Sequence, residues 1–343
     1  MAGVSVRGSE YHGPIRTHGG HPRSEDQSTK RVRTVLFYRH FVRFAGHHLK
    51  VWDYFNHVLG SPRHTAFVRF TRQSLLDETN PWTAVPDRIL DQTTEIDPNI
   101  LLLSGMDWLQ IDPALRENSP VPVLNLVIHP THFLPENPRY QFLSNRAIRI
   151  CMSADVAEAL QRTGRLRGPL FTIPAAIDVG SVRSIAGSPE RDIDLLVVAL
   201  KNPEMGRSLA ARLSRPPRNV HLLDERLSQR TELLEFLARA KVTVFLPQRR
   251  EGFYLPALEG MAVGTVVVCP DVLGNRSFCL EGVNCFRPPY DEDPLFESAE
   301  AAFADLPNLG ELIERARGTA DEHDLPGERE SFLQILERVD ELW

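Results

Sequence analysis

Short apolar runs rich in β-branched residues alternate with longer polar and amphipathic stretches along most of the chain. Five such runs predict strands in the first half: Thr34–Tyr38, Ala66–Phe70, Ile100–Leu103, Val123–Ile128 and Ile148–Met152. Five more predict strands in the second half: Asp194–Leu200, His221–Leu223, Val242–Leu246, Val266–Val268 and Asn284–Phe286. Because strands that alternate with helices are connected by crossovers, the pattern predicts an α/β protein with parallel sheets.

The segments between and outside these runs complete the predicted organisation. Between His48 and Val58 apolar side chains recur on one face of a predicted helix: Leu49, Trp52, Phe55 and Val58. A second helix is predicted over Arg329–Trp343. The stretch from Asp178 to Ser188, between the two sets of strands, is punctuated by glycine and serine. Residues 1–30 are rich in Gly, His, Ser and Arg without periodicity, which predicts a flexible tail.

Length and composition indicate a globular protein of two domains. The chain has 343 residues, of which 42% are hydrophobic and 24% charged, so extensive disorder is excluded. No apolar run approaches 18 residues, and the N-terminus lacks a hydrophobic signal core, so no transmembrane segment or signal peptide is expected. The four cysteines show no C-x-x-C spacing, which favours reduced structural thiols and a cytoplasmic location.

Charge is unevenly divided between the two halves. Residues 1–180 hold 20 Lys and Arg against 17 Asp and Glu, whereas residues 181–343 hold 19 against 28. A mildly basic first half would suit an acidic or membrane-surface acceptor, although a solvated surface explains so small an excess equally simply. The sequence contains no polybasic cluster or nucleic-acid motif, so a nucleic-acid partner is not expected.

The most informative stretch is Glu251–Glu259, in which two carboxylates have seven residues between them, around Gly252 and Pro256. It lies between two predicted strands, where a parallel sheet binds ligands. Glu251 is expected in the loop and Glu259 about two turns further, on the same helix face. Gly252 would leave backbone amides open at a helix N-terminus, which suits an anion or a sugar hydroxyl. Taken alone, such a pair could equally be two solvated helix carboxylates.

The surrounding residues remove that ambiguity. The segment from Phe245 to Val268, FLPQRREGFYLPALEGMAVGTVVV, closely resembles the donor-binding signature of the retaining family 4 glycosyltransferases (glycosyl transferases group 1). The segments DVLGNRSFCLEGVNC after Asp271 and IPAAID up to Asp178 are similar to further parts of the family pattern. The resemblance covers roughly residues 120–300 well, and residues 32–120 only by the order of elements.

The resemblance implies the GT-B fold, in which two Rossmann-like, doubly wound domains face each other across a cleft. The expected division is an acceptor-binding domain over residues 31–178 and a nucleotide-sugar-binding domain over residues 179–328. Residues 329–343 would form a helix that packs back towards the first domain.

The resemblance also implies roles for individual residues. Glu259 would accept hydrogen bonds from the donor ribose, and Glu251 would stabilise positive charge on the transferred sugar. Backbone amides of Phe253, Tyr254 and Leu255 would hold sugar hydroxyls and phosphate.

Family members typically grip the diphosphate with an Arg and a Lys after the first strand of the second domain. That order is missing here, and Lys201 and Arg207 are the nearest substitutes, with a surface role as the alternative for each. In the first domain, His129 follows a predicted strand and would reach the donor sugar, unless loop carbonyls simply satisfy it. Gly46 would allow close approach of backbone to phosphate.

These residues together predict a retaining glycosyltransferase that moves a hexose from a nucleoside-diphosphate sugar to an acceptor hydroxyl. No cofactor and no metal are expected, because the predicted cleft lacks acidic residues at metal-ligand spacing. The acceptor is left open between a saccharide, a lipid-linked saccharide and a natural product, and peripheral membrane contact stays open as well. The alternatives are a GT-B epimerase and a non-catalytic sugar-nucleotide-binding protein whose basic pair has been lost.

Overall fold

The computed structural model describes residues 32–43, 46–187, 189–227 and 229–343, and the predicted tail over residues 1–30 lies outside them. The strands are β1 (Arg33–Arg39), β2 (His64–Phe70), β3 (Ile89–Leu90), β4 (Ile100–Ser104), β5 (Val123–Val127), β6 (Ile148–Cys151), β7 (Leu170–Thr172), β8 (Ile193–Val198), β9 (Val220–Leu223), β10 (Ala240–Phe245) and β11 (Val266–Val268). The helices are α1 (Gly46–Leu59), α2 (Pro113–Glu117), α3 (Ala154–Gln161), α4 (Val179–Ala186), α5 (Pro203–Leu213), α6 (Arg230–Arg239), α7 (Leu255–Val263), α8 (Glu292–Ala304), α9 (Gly310–Glu322), α10 (Leu325–Glu337) and α11 (Val339–Leu342).

The strands form two parallel sheets. One has the order β3-β2-β1-β4-β5-β6-β7, and the other has the order β11-β10-β8-β9. Every strand pair in both sheets is parallel. The central strands β4, β5 and β10 are almost entirely buried, as expected for strands that helices cover on both faces. The α/β class and the parallel sheets predicted from the hydrophobic pattern are therefore confirmed.

The structure differs from the sequence pattern at three places, each for a visible reason. Asn284–Phe286 is not a regular strand: only Phe286 pairs with β11, through a parallel bridge to Val268, and the buried Asn284 amide bonds to the backbone at Leu280 and Phe278 in a turn. The stretch after Asp178 is helix α4, since the Asp178 carboxylate caps it by accepting the Ser181 N–H at 2.8 Å. The last helix starts earlier than predicted, at Leu325 after the Asp324 cap, and it is interrupted at Arg338.

The C-terminal helices lie against the first sheet's layer of helices. The Phe332 ring of α10 packs edge-on against Tyr54 of α1, with ring centroids 4.8 Å apart. The Arg146 guanidinium stacks over Trp343 at 4.3 Å. The C-terminal segment thus packs against the half of the molecule that contains the first sheet.

Parallel strands present their carboxyl ends at one edge of a sheet, where ligands bind. Four connections that leave such ends supply the candidate site: the start of α1 after β1, His129 after β5, Lys201 after β8 and Glu251 after β10. Within the part of the chain that the structure describes, no helix combines the length and apolar character needed to span a bilayer.

Candidate active site

A cavity of about 610 Å³ opens where these connections meet. One wall comes from the second sheet's half of the molecule and includes Lys201, Glu251 and the start of α7. The opposite wall comes from the first sheet's half. Of the residues singled out in the sequence, the cavity brings together Gly46, His129, Lys201, Glu251, Phe253, Tyr254 and Leu255.

Glu251 and Lys201 form an ion pair on the wall of this cavity. The Lys201 ammonium donates to the Glu251 carboxylate at 2.5 Å, although the two residues come from different strand ends. Glu251 is nearly buried, whereas the Lys201 side chain is 39% exposed. The Lys201 ammonium also lies 5.3 Å from the centre of the Tyr254 ring. Because an ammonium has three donors, Lys201 can bind an anion in the cavity without leaving Glu251.

Gly252 holds the Glu251 loop against the opposite wall. A Cβ atom at this position would lie 2.0 Å from the Ile128 carbonyl oxygen, so only glycine permits this approach. Gly274 supports the same loop from behind, since a Cβ there would lie 2.8 Å from the Glu251 carbonyl carbon. The two glycines therefore set how closely Glu251 approaches the loop that carries His129.

The backbone around α7 differs in detail from the expectation. The Tyr254 amide donates to the Gly274 carbonyl at 3.1 Å, so it is already engaged within the protein. The sequence predicted that Glu251 and Glu259 share a helix face. This prediction is wrong, because α7 begins only at Leu255. Glu251 stays in the loop, and Glu259 projects from the second turn of the helix.

His129 faces Glu251 and is oriented by its own loop. Its Nδ1 accepts the Thr131 N–H at 3.3 Å and contacts the Thr131 hydroxyl at 2.9 Å. Burial lowers the pKa of His129 below its ordinary value, although the Glu251 carboxylate opposes this shift. The ring is therefore neutral near pH 7 with its proton on Nε2. His129 can donate a hydrogen bond to a ligand, and it is not set up as a general base through Nδ1.

Glu259 does not line the cavity that holds Glu251. It is 2% exposed, and its Oε1 accepts from both Nε and Nη2 of Arg230, the first residue of α6, with the Nε distance at 2.9 Å. Arg230 borders a second cavity of about 1060 Å³ that is also lined by α1, α4 and α10. A ligand that uses the Glu259 carboxylate must share it with Arg230 or displace Arg230.

Arg207 is held away from the cavity. Its guanidinium binds the Asp224 carboxylate at 2.6 Å, and it is not among the cavity-lining residues. Gly46, in contrast, lines the cavity at the start of α1, and a Cβ there would meet no atom of the described residues within 4 Å. This open space leaves room for a ligand beside the helix N-terminus.

The structure adds residues that sequence reasoning missed. Arg39 and Asp107 form a buried ion pair at 2.5 Å on the cavity wall, and Arg139 lines the same wall. Arg230, the partner of Glu259, was missed as well. Arg39 is the last residue of β1, so its place at a strand end was a usable signal. Arg139 lies in the connection between β5 and β6, and Arg230 begins α6; only the tertiary structure shows which groups they approach.

Burial keeps several histidines neutral, which predicts a loss of stability in mild acid. Burial, reinforced by nearby arginines, lowers the pKa of His132 to about 3, of His48 to about 2 and of His64 to about 4. In the unfolded chain these rings protonate near pH 6.5. Their contribution to stability is therefore complete above pH 6.5 and is lost as the pH falls below it, by up to about 1.4 kcal/mol per pH unit per histidine.

Urea denaturation of wild type and His132→Gln at pH 7.5, 6.0 and 5.0 measures this effect. The substitution should reduce the loss of unfolding free energy between pH 7.5 and 5.0 by about 2 kcal/mol, because one titrating group is removed. Equal pH dependence in both proteins would show that His132 is not held neutral.

Comparisons with known proteins bear on the fold and on the class of enzyme. Residues 179–305 match the model of the family described as Glycosyl transferases group 1. No curated protein matches the chain by sequence. Among solved structures, sucrose-phosphate synthase from Thermosynechococcus elongatus superposes with a TM-score of 0.67 at 12% identity, over 90% of this chain and 99% of that chain.

Two further structures show the same fold. HepE from Anabaena in complex with UDP gives a TM-score of 0.69 at 14% identity, over 89% of this chain and 99% of that chain. A glycosyltransferase from Rickettsia africae gives 0.66 at 12% identity, over 90% and 98%. At these identities the superpositions establish the fold, and the family match over residues 179–305 supplies the enzyme class. The chain is thus a glycosyltransferase with the GT-B fold, and residues 179–305 are its glycosyl transferases group 1 region.

Proposed function

We propose that this protein transfers a hexose from a nucleoside-diphosphate sugar to an acceptor hydroxyl, with retention of configuration and without a metal ion. The observation that carries the proposal is the Lys201–Glu251 pair, which places a cation and a carboxylate together on the wall of an interdomain cavity. A nucleotide sugar needs both, because its diphosphate is anionic and its sugar becomes positively charged in the transition state.

A uridine nucleotide is the first donor to test. The HepE structures were solved with UDP and glucose and with UDP-glucose. HepE shares the fold of this chain, and the Glu251 region carries the signature residues of nucleotide-sugar binding. We propose that the nucleotide lies along α7, with its ribose towards Glu259 and its sugar towards Glu251.

The chemistry assigned to each residue follows from its surroundings. Glu251, which pairs with Lys201, stabilises the oxocarbenium-like sugar as the bond to phosphate breaks. Lys201 and the N-terminus of α1 at Gly46 stabilise the negative charge that accumulates on the departing diphosphate. His129 donates from Nε2 to an oxygen of the sugar. The acceptor hydroxyl attacks the anomeric carbon from the face that the diphosphate leaves and passes its proton to the departing diphosphate oxygen, which gives retention without a covalent intermediate.

Lys201→Ala should weaken nucleoside-diphosphate binding by roughly tenfold to a hundredfold, because a charge-assisted bond to phosphate is lost. The nucleoside without phosphates should bind wild type and variant equally. Calorimetric titration of both ligands tests this, with Arg207→Ala as the matched control, since Arg207 is a nearby cation engaged by Asp224. A larger effect of Arg207→Ala than of Lys201→Ala would assign the phosphates to Arg207.

A donor panel tests the function as a whole. UDP-, GDP-, ADP- and dTDP-sugars are added separately, and the donor that binds the folded protein raises its melting temperature. Release of free nucleoside diphosphate on addition of acceptors then demonstrates transfer, and the anomeric configuration of the product demonstrates retention. Turnover should persist in EDTA. Abolition by EDTA with recovery on adding manganese or magnesium would overturn the metal-free mechanism.

We also propose a cytoplasmic location. The four cysteines are buried free thiols, Cys151, Cys269, Cys279 and Cys285, which is the state that a reducing compartment maintains.

A further inference from the structure

The charges on the cavity wall do not balance. Four lysine and arginine side chains line the cavity: Arg39, Lys50, Arg139 and Lys201. Three of them have a carboxylate partner within 3 Å: Arg39 with Asp107, Lys50 with Glu328, and Lys201 with Glu251. Among the described residues Arg139 has no side-chain hydrogen bond and no carboxylate partner. The cavity thus presents one unmatched guanidinium.

Arg139 lies on the first sheet's side of the cavity. Its Nε is 3.3 Å from the position that a Cβ of Gly105 would occupy, and Gly105 has a φ of +60° in the connection that follows β4. The guanidinium therefore lies against the Gly105 backbone. A side chain at residue 105 would be strained by this φ and would crowd the guanidinium.

Arg139 and Lys201 lie on different walls of the cavity, because Arg139 contacts Gly105 after β4 and Lys201 pairs with Glu251 after β10. The positive charge of Arg139 helps to lower the pKa of His47, His129 and His132. Lys201 exerts this influence on His129 alone among the three. His129 is thus close enough to both cations to be affected by the charge of each.

His132 provides a second unmatched polar group on the same side. Its side chain is 5% exposed and lines the cavity, yet no residue in the described part of the chain hydrogen-bonds its ring. A neutral imidazole offers one N–H donor and one nitrogen acceptor. Both ring nitrogens are therefore free to hydrogen-bond a polar ligand that enters the cavity.

We propose that the acceptor substrate carries an oxyanion, a phosphate or a carboxylate, which Arg139 binds, and that His132 hydrogen-bonds the same acceptor. A guanidinium offers a planar fork of donors that matches two oxygens of either group. This inference rests on the proposed function, because it names the acceptor class of the same site. Arg139 is then a residue that determines acceptor specificity, separate from the donor grip at Lys201.

Binding of small acceptors to the full chain, saturated with the nucleoside diphosphate and at constant ionic strength, tests the proposal. The probes are hexose phosphates, hexuronates and the uncharged hexoses, together with vesicles that contain a phosphate-bearing lipid. The proteins are wild type, Arg139→Gln, Arg139→Lys and the control Arg162→Gln. Arg162 is an exposed arginine of the same half that already pairs with Glu158.

We expect at least one anionic probe to bind wild type and Arg162→Gln alike, and Arg139→Gln to weaken that binding tenfold or more. Arg139→Lys should restore it only in part, because the fork of donors is lost. Uncharged hexoses should bind all four proteins equally. If only the vesicles show the Arg139-dependent binding, the oxyanion belongs to a lipid headgroup, and if only the sugar acids show it, the acceptor is soluble.

Two results would overturn the inference. No probe binding in an Arg139-dependent manner would remove the oxyanion subsite. Weaker nucleoside-diphosphate binding in Arg139→Gln, comparable to that in Lys201→Ala, would assign Arg139 to the donor diphosphate instead. These two results can be told apart from a failure of the proposed function. In that case the wild-type protein would bind no nucleotide sugar at all.

Discussion

Replacing Glu251 with glutamine is expected to lower turnover by about a hundredfold or more while the protein remains folded. The substitution removes the negative charge and keeps the size of the side chain. The variant loses a preorganised electrostatic contact with the transition state, and loss of one such contact lowers the turnover of enzymes by about a hundredfold or more. In Glu251→Gln the Lys201 ammonium also loses its partner at 2.5 Å, so diphosphate binding should hold or tighten while the chemical step slows.

Steady-state measurement of nucleotide release, with the Michaelis constant for the donor determined separately, checks this prediction. The matched control is Glu300→Gln, which also removes a carboxylate paired with an arginine, here Arg218, but lines neither cavity. Turnover of Glu251→Gln within about threefold of wild type would remove Glu251 from the mechanism. A matching loss in the control would indicate an effect on folding.

The largest effect on stability is expected for Lys50→Met, at about 3–5 kcal/mol of unfolding free energy. Lys50 is 2% exposed, and its ammonium contacts Glu328 at 2.8 Å, Asp53 at 2.9 Å and the Ala176 carbonyl at 3.0 Å. Burial disfavours the charged forms of Lys50 and Glu328, but their attraction to each other is stronger. The pKa of Lys50 is therefore above its ordinary value, and the pKa of Glu328 is below its ordinary value. Removing the cation leaves Asp53 without its ion-pair partner, and it leaves Glu328 with only the His57 ring and the Ala176 N–H.

This cluster joins α1, α10 and the passage that leads from the first sheet to the second, because Glu328 also accepts the Ala176 N–H at 2.9 Å. Urea denaturation monitored by tryptophan fluorescence measures the change. The exposed pair of Arg162 and Glu158 supplies the control, and Arg162→Met should change stability by less than about 1 kcal/mol. A loss below 1 kcal/mol for Lys50→Met would mean that Glu328 and Asp53 accommodate its removal by taking up protons.

The hydrophobic pattern by itself determined the fold class. β-branched runs and an amphipathic α1 placed nearly every strand within one or two residues of its bounds, since apolar periodicity reflects burial directly. It failed at Asn284–Phe286, where a single buried amide redirects the backbone. It also missed β3 and β7, because strands of two and three residues are too short to carry a period.

The local motif likewise located half of the candidate site. Glu251, Gly252 and the start of α7 are contiguous, so their spacing in sequence is close to their spacing in space. The motif did not reveal that Gly252 allows the Glu251 loop to contact the Ile128 backbone, because that contact joins residues more than a hundred positions apart.

Pairings between distant residues were decided only by the tertiary structure. Lys201 binds Glu251, Arg230 binds Glu259 and Arg207 turns to Asp224, although their positions in sequence suggested a common diphosphate grip for Lys201 and Arg207. A charged side chain is directed by whichever opposite charge the fold brings within about 4 Å, and sequence spacing does not encode that distance across strands. For the same reason, Arg139 can be recognised as unpaired only from the tertiary structure, which shows the carboxylate partners of Arg39, Lys50 and Lys201.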